Sequence, residues 1–207
     1  MNGFLNPTEI LNQLSLRDDM IVADFGSGSG GWAIPLAKRL KTGRVYAIDI
    51  LEEPLSALKS KAQIERISNI ETILSNIENK NGSKLPDESC NLVLITNLLF
   101  EVKDKKAVLE EEKRILRPGG EILIVDWTPP THHPENSPFG PQEGKASTEE
   151  VKKIAKDLNL KNKKEFDASI YHWGLILVKP GSENLAACGK ITPPSKPYVI
   201  PTENNKV

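Results

Sequence analysis

Short apolar segments alternate along the chain with longer segments in which apolar residues recur every three or four positions. The first pattern is typical of buried strands and the second of amphipathic helices. Asn91–Thr96 (NLVLIT) is apolar almost throughout, as expected for a central parallel strand covered on both faces. The predicted strands are Met20–Phe25, Arg44–Asp49, Glu71–Leu74, Asn91–Thr96, Glu121–Trp127, Lys163–Ser169 and Tyr171–Lys179.

Capping residues mark where several helices begin. Asn6, Pro7 and Glu9 form a start signal for a short N-terminal helix, and Ser147 with Glu150 has the spacing of a capping box. Further helices are predicted after the glycines at 26–31, from Pro54, and over 105–116. Strand and helix units repeated in this way predict a parallel sheet with right-handed crossovers.

The end of the pattern predicts a different connection. The last two strand segments are separated by only one residue, Ile170, so they should pair antiparallel as a hairpin. Before them, the proline-rich segment 128–147 is long enough to be a functional loop. We expect one domain over 1–180 and a proline-rich tail over 181–207 that is mobile or draped on the surface.

Composition narrows the class of protein. The 207 residues include 27 basic and 28 acidic side chains, so bulk charge does not indicate a nucleic-acid partner. No signal-peptide pattern and no long apolar run is present, which predicts a cytoplasmic protein without a membrane span. Two cysteines, Cys90 and Cys188, are too few for a disulfide framework or zinc site, and no metal is expected.

The segment Ala23–Trp32 (ADFGSGSGGW) concentrates glycine between a predicted strand and a predicted helix. Gly26, Gly28 and Gly31 spell the dinucleotide fingerprint G-x-G-x-x-G, whereas the first two with Gly30 spell the G-x-G-x-G of methyl-donor enzymes. Either match alone is weak, because a tight turn also uses glycine.

Charge separates these two interpretations. Asp24 stands two residues before Gly26, where a carboxylate would repel a pyrophosphate and attract the amino group of a methionine moiety. Asp49, which ends the next strand, can accept ribose hydroxyls in either case and therefore supports only adenosine. The RPGG segment and the closing antiparallel hairpin also disagree with the usual dinucleotide fold. A dehydrogenase is the less favoured interpretation.

From about Asn6 to Lys179 the chain resembles the class I S-adenosylmethionine-dependent methyltransferases, within the group that includes the ubiquinone and menaquinone methyltransferases. The matching segments are VADFGSGSGG, VYAIDI, LPDESCNLVLITNLLF, LRPGGEILIVDW and YHWGLILVK. The resemblance implies an α/β, Rossmann-like seven-stranded sheet, with six parallel strands, one antiparallel strand from the C-terminal hairpin, and helices on both faces. It also implies S-adenosylmethionine as the cofactor, and it does not specify the acceptor.

The resemblance further implies where the cofactor binds. Asp24 and the glycine backbone would meet the methionine part, Asp49 would hold the ribose, and Ile50 would flank the adenine. The implied cofactor-binding residues are Asp24, Gly26, Ser27, Gly28, Gly30, Asp49, Ile50, Asn76, Ile77 and Asn97.

Some positions depart from the family pattern or need separate interpretation. Asn76 stands where relatives usually carry an aspartate bonded to the adenine amino group, and its carbonyl oxygen can still accept that bond. Ile77 would be an apolar wall for the base, and Asn97 would lie under the donor methyl and the acceptor. Trp32 is unusual for the family, and core packing is favoured there over a substrate wall.

Methyl transfer relies mainly on positioning, so a catalytic side chain is optional. His132 and His133 on the long loop are candidate bases, although two solvated histidines are the simpler interpretation. Asp126 could orient an acceptor or cap a loop. His172 is expected to pack on the sheet.

We expect an enzyme acting on a small-molecule acceptor, with no prediction of oligomeric state. An RNA or protein methyltransferase using the lysine-rich segment 152–164 is one alternative, and a non-catalytic cofactor-binding protein is another. Arsenite methylation is disfavoured because it needs several positioned thiols.

Overall fold

A seven-stranded sheet organises the residues that the computed structural model describes, which are 5–128 and 146–181. The strands are β1 (Ile21–Phe25), β2 (Arg44–Asp49), β3 (Ile70–Leu74), β4 (Cys90–Thr96), β5 (Leu116–Trp127), β6 (Lys161–Ser169) and β7 (His172–Val178). The helices are α1 (Pro7–Leu11), α2 (Ala33–Arg39), α3 (Glu52–Ile64), α4 (Lys105–Ile115) and α5 (Thr148–Asp157).

The strand order is β3-β2-β1-β4-β5-β7-β6. β7 runs antiparallel to both β5 and β6, whereas the other pairs are parallel. The predicted arrangement of six parallel strands with one antiparallel strand from a hairpin is therefore confirmed. The order reverses between β1 and β4, and ligands of open α/β sheets bind at the carboxyl ends of strands beside such a switch. We call the end of the sheet at which the parallel strands terminate the carboxyl edge, and the end at which they begin the amino edge.

Alternation along the strands fills a core on each face of the sheet. Phe25 of β1 belongs to one buried cluster, with apolar residues of α4 and α5, while Val22 belongs to the other, with residues of α1, α2 and α3. Helices thus cover both faces, as predicted. Trp32 is buried in the second cluster, which agrees with a core-packing role.

The predicted helix caps are present. The Asn6 side-chain oxygen accepts hydrogen bonds from the backbone N–H groups of Thr8 and Glu9 at 3.0 and 3.4 Å. Ser147 Oγ accepts the Glu150 N–H at 3.1 Å. These bonds satisfy N–H groups that have no partner within the helix.

β5 begins at Leu116, five residues before the predicted start at Glu121. The RPGG segment extends the strand because its backbone finds partners: the Gly119 N–H donates to the Lys179 carbonyl at 2.8 Å, and the Lys179 N–H donates to the Gly120 carbonyl at 3.1 Å. The register between β4 and β5 shifts between Cys90 and Leu92 to accommodate this segment. β6 likewise begins at Lys161, which pairs with Val178 of β7.

Some predictions fall outside the described residues. These are the long loop with His132 and His133, Cys188, and the tail beyond Gly181. Within the described ranges, no helix combines the length and hydropathy that a membrane span requires.

Candidate functional site

The turn between β1 and α2 depends on three of its glycines. Gly26, Gly28 and Gly30 have φ values of 69°, 51° and 90°, in the left-handed region that other residues rarely adopt. Gly31 has no positive φ. The backbone therefore requires glycine at the G-x-G-x-G positions, and not at the last position of the dinucleotide fingerprint.

The surroundings of these glycines differ. A Cβ at Gly26 would lie 2.7 Å from Leu98 Cδ2, and one at Gly30 would lie 2.3 Å from Leu58 Cδ1. A Cβ at Gly28 would meet no atom of the described residues within 4 Å. Two glycines thus allow close packing, while Gly28 borders open space where a ligand can approach the backbone.

Asp49, at the end of β2, is hydrogen-bonded to this turn. Its Oδ2 accepts the Gly28 N–H at 2.8 Å and its Oδ1 accepts the Leu51 N–H at 3.0 Å. The Ile48 carbonyl accepts the N–H groups of Gly26 and Ser27 at 2.8 and 3.0 Å. Each Asp49 oxygen has a further lone pair, so the carboxylate can still accept ligand hydroxyls.

Asp24 is a fully buried acid at the end of β1. Neither of its oxygens has a hydrogen-bond partner in the described ranges. Burial, followed by the charge of Asp49, raises the pKa of Asp24 to about 8; the Ala33 backbone N–H opposes this rise without reaching hydrogen-bond geometry. Asp24 is therefore mostly protonated at pH 7 in the free protein, and a cation bound beside it would favour its ionised form.

Two further polar atoms are buried at the same edge of the sheet. Ser27 Oγ and Asn97 Oδ1 also lack a hydrogen-bond partner among the residues that the structure describes. In the pairing of β1 with β4, Phe25 is opposite Ile95, so Ser27 and Asn97 each lie two residues beyond this pair. Buried polar groups without partners are costly, and three beside one open turn indicate a ligand that supplies the missing partners.

Asp126 lies at the end of β5 and is fully buried. Its Oδ2 accepts the N–H groups of Leu98 and Leu99 at 3.2 and 2.8 Å, and its Oδ1 accepts the Trp127 N–H at 2.7 Å. Burial raises the pKa of Asp126 to about 6, although these three bonds and the charge of Lys105 oppose the rise. Both oxygens are occupied by backbone groups, which favours a loop-capping role over direct contact with an acceptor.

The residues predicted around adenine lie after β2 and β3. Ile50 is 61% exposed, so its apolar side chain is accessible to a ligand. The Asn76 side-chain oxygen accepts the Glu78 N–H at 2.9 Å, and Ile77 is buried in the core. Sequence reasoning did not single out Leu51, which is 60% exposed beside Ile50. The feature of the sequence that could have identified Leu51 is its apolar side chain, two residues after the end of β2 at the carboxyl edge.

The sequence model of the methyltransferase domain family matches residues 16–177. The chain belongs to this family. This confirms the predicted family, and it removes the dehydrogenase interpretation.

Individual relatives agree with this assignment. The chain is 32% identical over 115 residues to a ubiquinone/menaquinone biosynthesis C-methyltransferase, UbiE, of Hydrogenovibrio crunogenus, covering 55% of this chain and 44% of that protein. It is 29% identical over 126 residues to a demethylmenaquinone methyltransferase of Oceanobacillus iheyensis, covering 59% of this chain and 51% of that protein. The chain thus spans about half the length of these curated relatives.

A solved structure is similar over nearly its whole length. The crystal structure of a SAM-dependent methyltransferase from Aquifex aeolicus has a TM-score of 0.75 and 26% sequence identity to this chain. The match covers 84% of this chain and 90% of that one. It confirms the predicted Rossmann-like methyltransferase fold.

Of the three candidate histidines of this methyltransferase domain, His172 alone lies within the described residues. His132 and His133 lie outside the described residues. His172 is buried at the start of β7, where its ring centroid lies 4.1 Å from that of Trp127 and its Nδ1 lies 2.9 Å from Ser169 Oγ. These contacts agree with the predicted sheet-packing role.

Proposed function

We propose that this protein transfers a methyl group from S-adenosylmethionine to a small-molecule acceptor. The observation that carries the proposal is Asp24, a buried acid without partners in the described residues, next to the open backbone of Gly28. An ammonium group would neutralise this carboxylate, whereas a pyrophosphate would add repulsion.

The residues present fit this cofactor at each end. Asp24 would bind the ammonium group, Asp49 the ribose hydroxyls and Ile50 one face of the adenine. Asn97 would offer its Oδ1, which has no partner among the described residues, near the reacting end. The Asn76 and Ile77 contacts with the base stay predictions.

S-adenosylmethionine, when bound, supplies an electrophilic methyl group on a sulfonium. The protein's part is to orient this group against the acceptor and to exclude water, and orientation of this kind can contribute about 7–11 kcal/mol. Because the positive charge is lost in the reaction, the site needs no group that stabilises new negative charge. An acceptor that must lose a proton would still require a base.

The acceptor class is inferred from the relatives that are named as quinone methyltransferases. A short-chain demethylmenaquinol is therefore the first compound in a panel of small phenols, quinols and amines. Turnover of any of these, measured as S-adenosylhomocysteine released, would support a small-molecule acceptor. Tight cofactor binding without turnover of any of them would favour a non-catalytic protein.

The alternative of an RNA acceptor is weakened by the charges on the lysine-rich segment. Lys152 pairs with Glu165, and Lys163 pairs with Glu121. Lys164 Nζ donates to the Gln13 side chain at 2.8 Å. Internal pairing leaves less positive charge for a phosphate backbone, and acceptor binding that falls steeply with salt would overturn this argument.

Calorimetric titration with S-adenosylhomocysteine tests the cofactor assignment. Asp24→Asn should weaken binding by about a hundredfold or more, because it removes the only partner proposed for a buried ammonium group. Glu112→Gln is the matched control, since Glu112 is also buried and unpaired within the described ranges but lies in the last turn of α4. Equal losses in both variants, or binding of a nicotinamide dinucleotide in place of S-adenosylhomocysteine, would contradict the proposal.

The cytoplasmic location predicted from the sequence also stays a prediction. Fractionation of the source cells, followed by detection of the protein, is its direct test.

A further inference from the structure

We propose that Asp126 is a positioning residue for methyl transfer, which acts by fixing the turn Asn97–Leu99 over the glycine turn of β1. This inference rests on the proposed function. Asp126 does not need to touch the cofactor or the acceptor, because its effect passes through the backbone of a neighbouring turn.

The end of β5 binds three consecutive N–H groups of this turn. The Val125 carbonyl accepts the Asn97 N–H at 2.8 Å. The Asp126 carboxylate then accepts the Leu98 and Leu99 N–H groups. Hydrogen bonds donated to a buried carboxylate are stronger than those donated to a neutral acceptor, so Asp126 is the main anchor of the turn.

The turn has a conformation that needs an anchor. Asn97 has a φ of 52°, in the left-handed region, which asparagine adopts more readily than most residues with a side chain but less readily than glycine. The same residue carries Oδ1, which is buried and has no partner in the described parts of the chain. If the Asp126 bonds were lost, the turn could relax and this oxygen would leave its place beside the glycine turn.

The turn also contacts the glycine turn directly. Leu98 lies so near Gly26 that an added Cβ would be 2.7 Å from Leu98 Cδ2. The anchoring bonds of Asp126 therefore hold a side chain that packs on the backbone of the cofactor site. A chain of contacts leads from β5 through the end of β4 to the end of β1.

The charged groups around Asp126 favour its ionised form at neutral pH. Lys105 of α4 lowers the pKa of Asp126, and Lys105 Nζ is itself 3.9 Å from Glu150 of α5. On β7, the strand partner of Asp126 is the uncharged Trp173, and His172 is paired with the next residue, Trp127. Since burial raises the pKa to about 6, the anchor should weaken as the pH falls through 6. Protonation converts one acceptor oxygen into a hydroxyl.

The first experiment uses the free protein and no cofactor. Amide exchange of Leu98 and Leu99, followed by NMR, should be about 10- to 100-fold faster in Asp126→Asn than in the wild type. Glu111→Gln is the control, because Glu111 also accepts a backbone N–H, that of Ser83, but lies at the amino edge. Unchanged exchange in Asp126→Asn would overturn the proposal, and so would equal acceleration in both variants.

The second experiment compares two ligands that differ only by the methyl group and its positive charge. Asp126→Asn should lower the affinity for S-adenosylmethionine about tenfold more than that for S-adenosylhomocysteine. Asn97→Ala should cause the same selective loss of S-adenosylmethionine affinity. The double variant should lose little more of this affinity than either single variant does. In the wild type, the affinity for S-adenosylmethionine relative to that for S-adenosylhomocysteine should decline below pH 6. In Asp126→Asn this ratio of affinities should not change with pH.

A merely structural role would lower both affinities equally, and that result would overturn the proposal. If Asp126→Asn does not fold, Asp126→Glu keeps the charge while displacing it, and the same two measurements apply. A wild-type protein that binds neither ligand would refute the proposed function, while the exchange experiment would still decide whether Asp126 anchors the turn.

Discussion

Two buried acids at opposite edges of the sheet, Asp24 and Glu111, differ in their hydrogen-bond partners. At the carboxyl edge, Asp24 is buried without a hydrogen-bond partner in the described residues. At the amino edge, Glu111 accepts the Ser83 N–H at 2.9 Å, the Ser83 hydroxyl at 2.5 Å, and two Arg114 N–H groups at 2.8 and 2.6 Å. The satisfied acid stabilises the fold, whereas the unsatisfied one is suited to a ligand.

The pKa values of the two acids differ for the same reason. Burial, followed by the charge of Asp49, raises the pKa of Asp24 to about 8, and the opposing effect of the Ala33 N–H is too small to prevent this rise. Burial also acts on Glu111, but the hydrogen bonds of Arg114 and Ser83 outweigh it, so the pKa of Glu111 is lowered. The number of hydrogen-bond partners, and not burial alone, decides whether the pKa of a buried acid rises or falls.

Glu112 shows that an unpaired acid is not by itself a site. It follows Glu111 on α4, is fully buried and has no partner among the described residues. Burial raises its pKa well above the usual value. Asp24 differs from it because, within the part of the chain that the structure describes, Ser27 and Asn97 are also unpaired at the same edge and Gly28 leaves space for a ligand.

Arg114→Leu should produce the largest change in stability. It would leave Glu111 buried without its cationic partner, which typically costs about 3–5 kcal/mol. Urea denaturation at pH 7 measures the loss, while the S-adenosylhomocysteine affinity of the folded protein should stay within twofold of the wild type. A loss of affinity with little loss of stability would show that the two edges are not separate in function.

The pH dependence of Arg114→Leu is a further check on the same bonds. The pKa of folded Glu111 lies below its unfolded value of about 4.5, so its contribution is complete above that value. The contribution disappears as the pH falls through the folded pKa. The difference in stability between wild type and Arg114→Leu should therefore narrow in acid.

The sequence predicts the contacts that follow from local pattern and not those that join distant segments. Asp24 and Asp49 were predicted as site residues because strand ends lie at fixed spacings from the glycine turn. Loop capping was one of the two roles predicted for Asp126, but its partners Leu98 and Leu99 were not predicted, because they are 28 and 27 residues away along the chain. The early start of β5 was missed for the same reason, since its partner Lys179 lies at the far end of the domain.

Asp24→Asn should have a smaller effect on the stability of the free protein, with a sign opposite to that of Arg114→Leu. The folded pKa of about 8 lies above the unfolded value of 3.8, so the folded state binds more protons between these pH values. The stability of the wild type should therefore fall as the pH rises through this range. Above pH 8, Asp24→Asn should be more stable than the wild type by at least about 1.4 kcal/mol, the equivalent of one pKa unit.

Thermal or urea unfolding at pH 5 and pH 9 measures this difference. Glu112 contributes a slope of the same sign, and it is present in both proteins, so the comparison isolates Asp24. If Asp24→Asn were less stable than the wild type at pH 9, the carboxylate would have partners that stabilise its charge, and the contrast between the edges would fail.

Gly31→Ala should have the smallest effect, and together with Gly28→Ala it tests which glycines the site requires. Gly31 has no positive φ, and a Cβ there meets no atom of the described segments within 4 Å, so alanine should raise stability by about 0.4–1 kcal/mol by restricting the unfolded chain. Gly28 has a φ of 51°, so alanine there should cost about 1 kcal/mol and place a methyl group in the open space. S-adenosylhomocysteine affinity should stay within twofold in Gly31→Ala and fall at least tenfold in Gly28→Ala, as measured by calorimetry. The reverse order would mean that the fourth glycine, and with it the dinucleotide spacing, governs binding at the carboxyl edge.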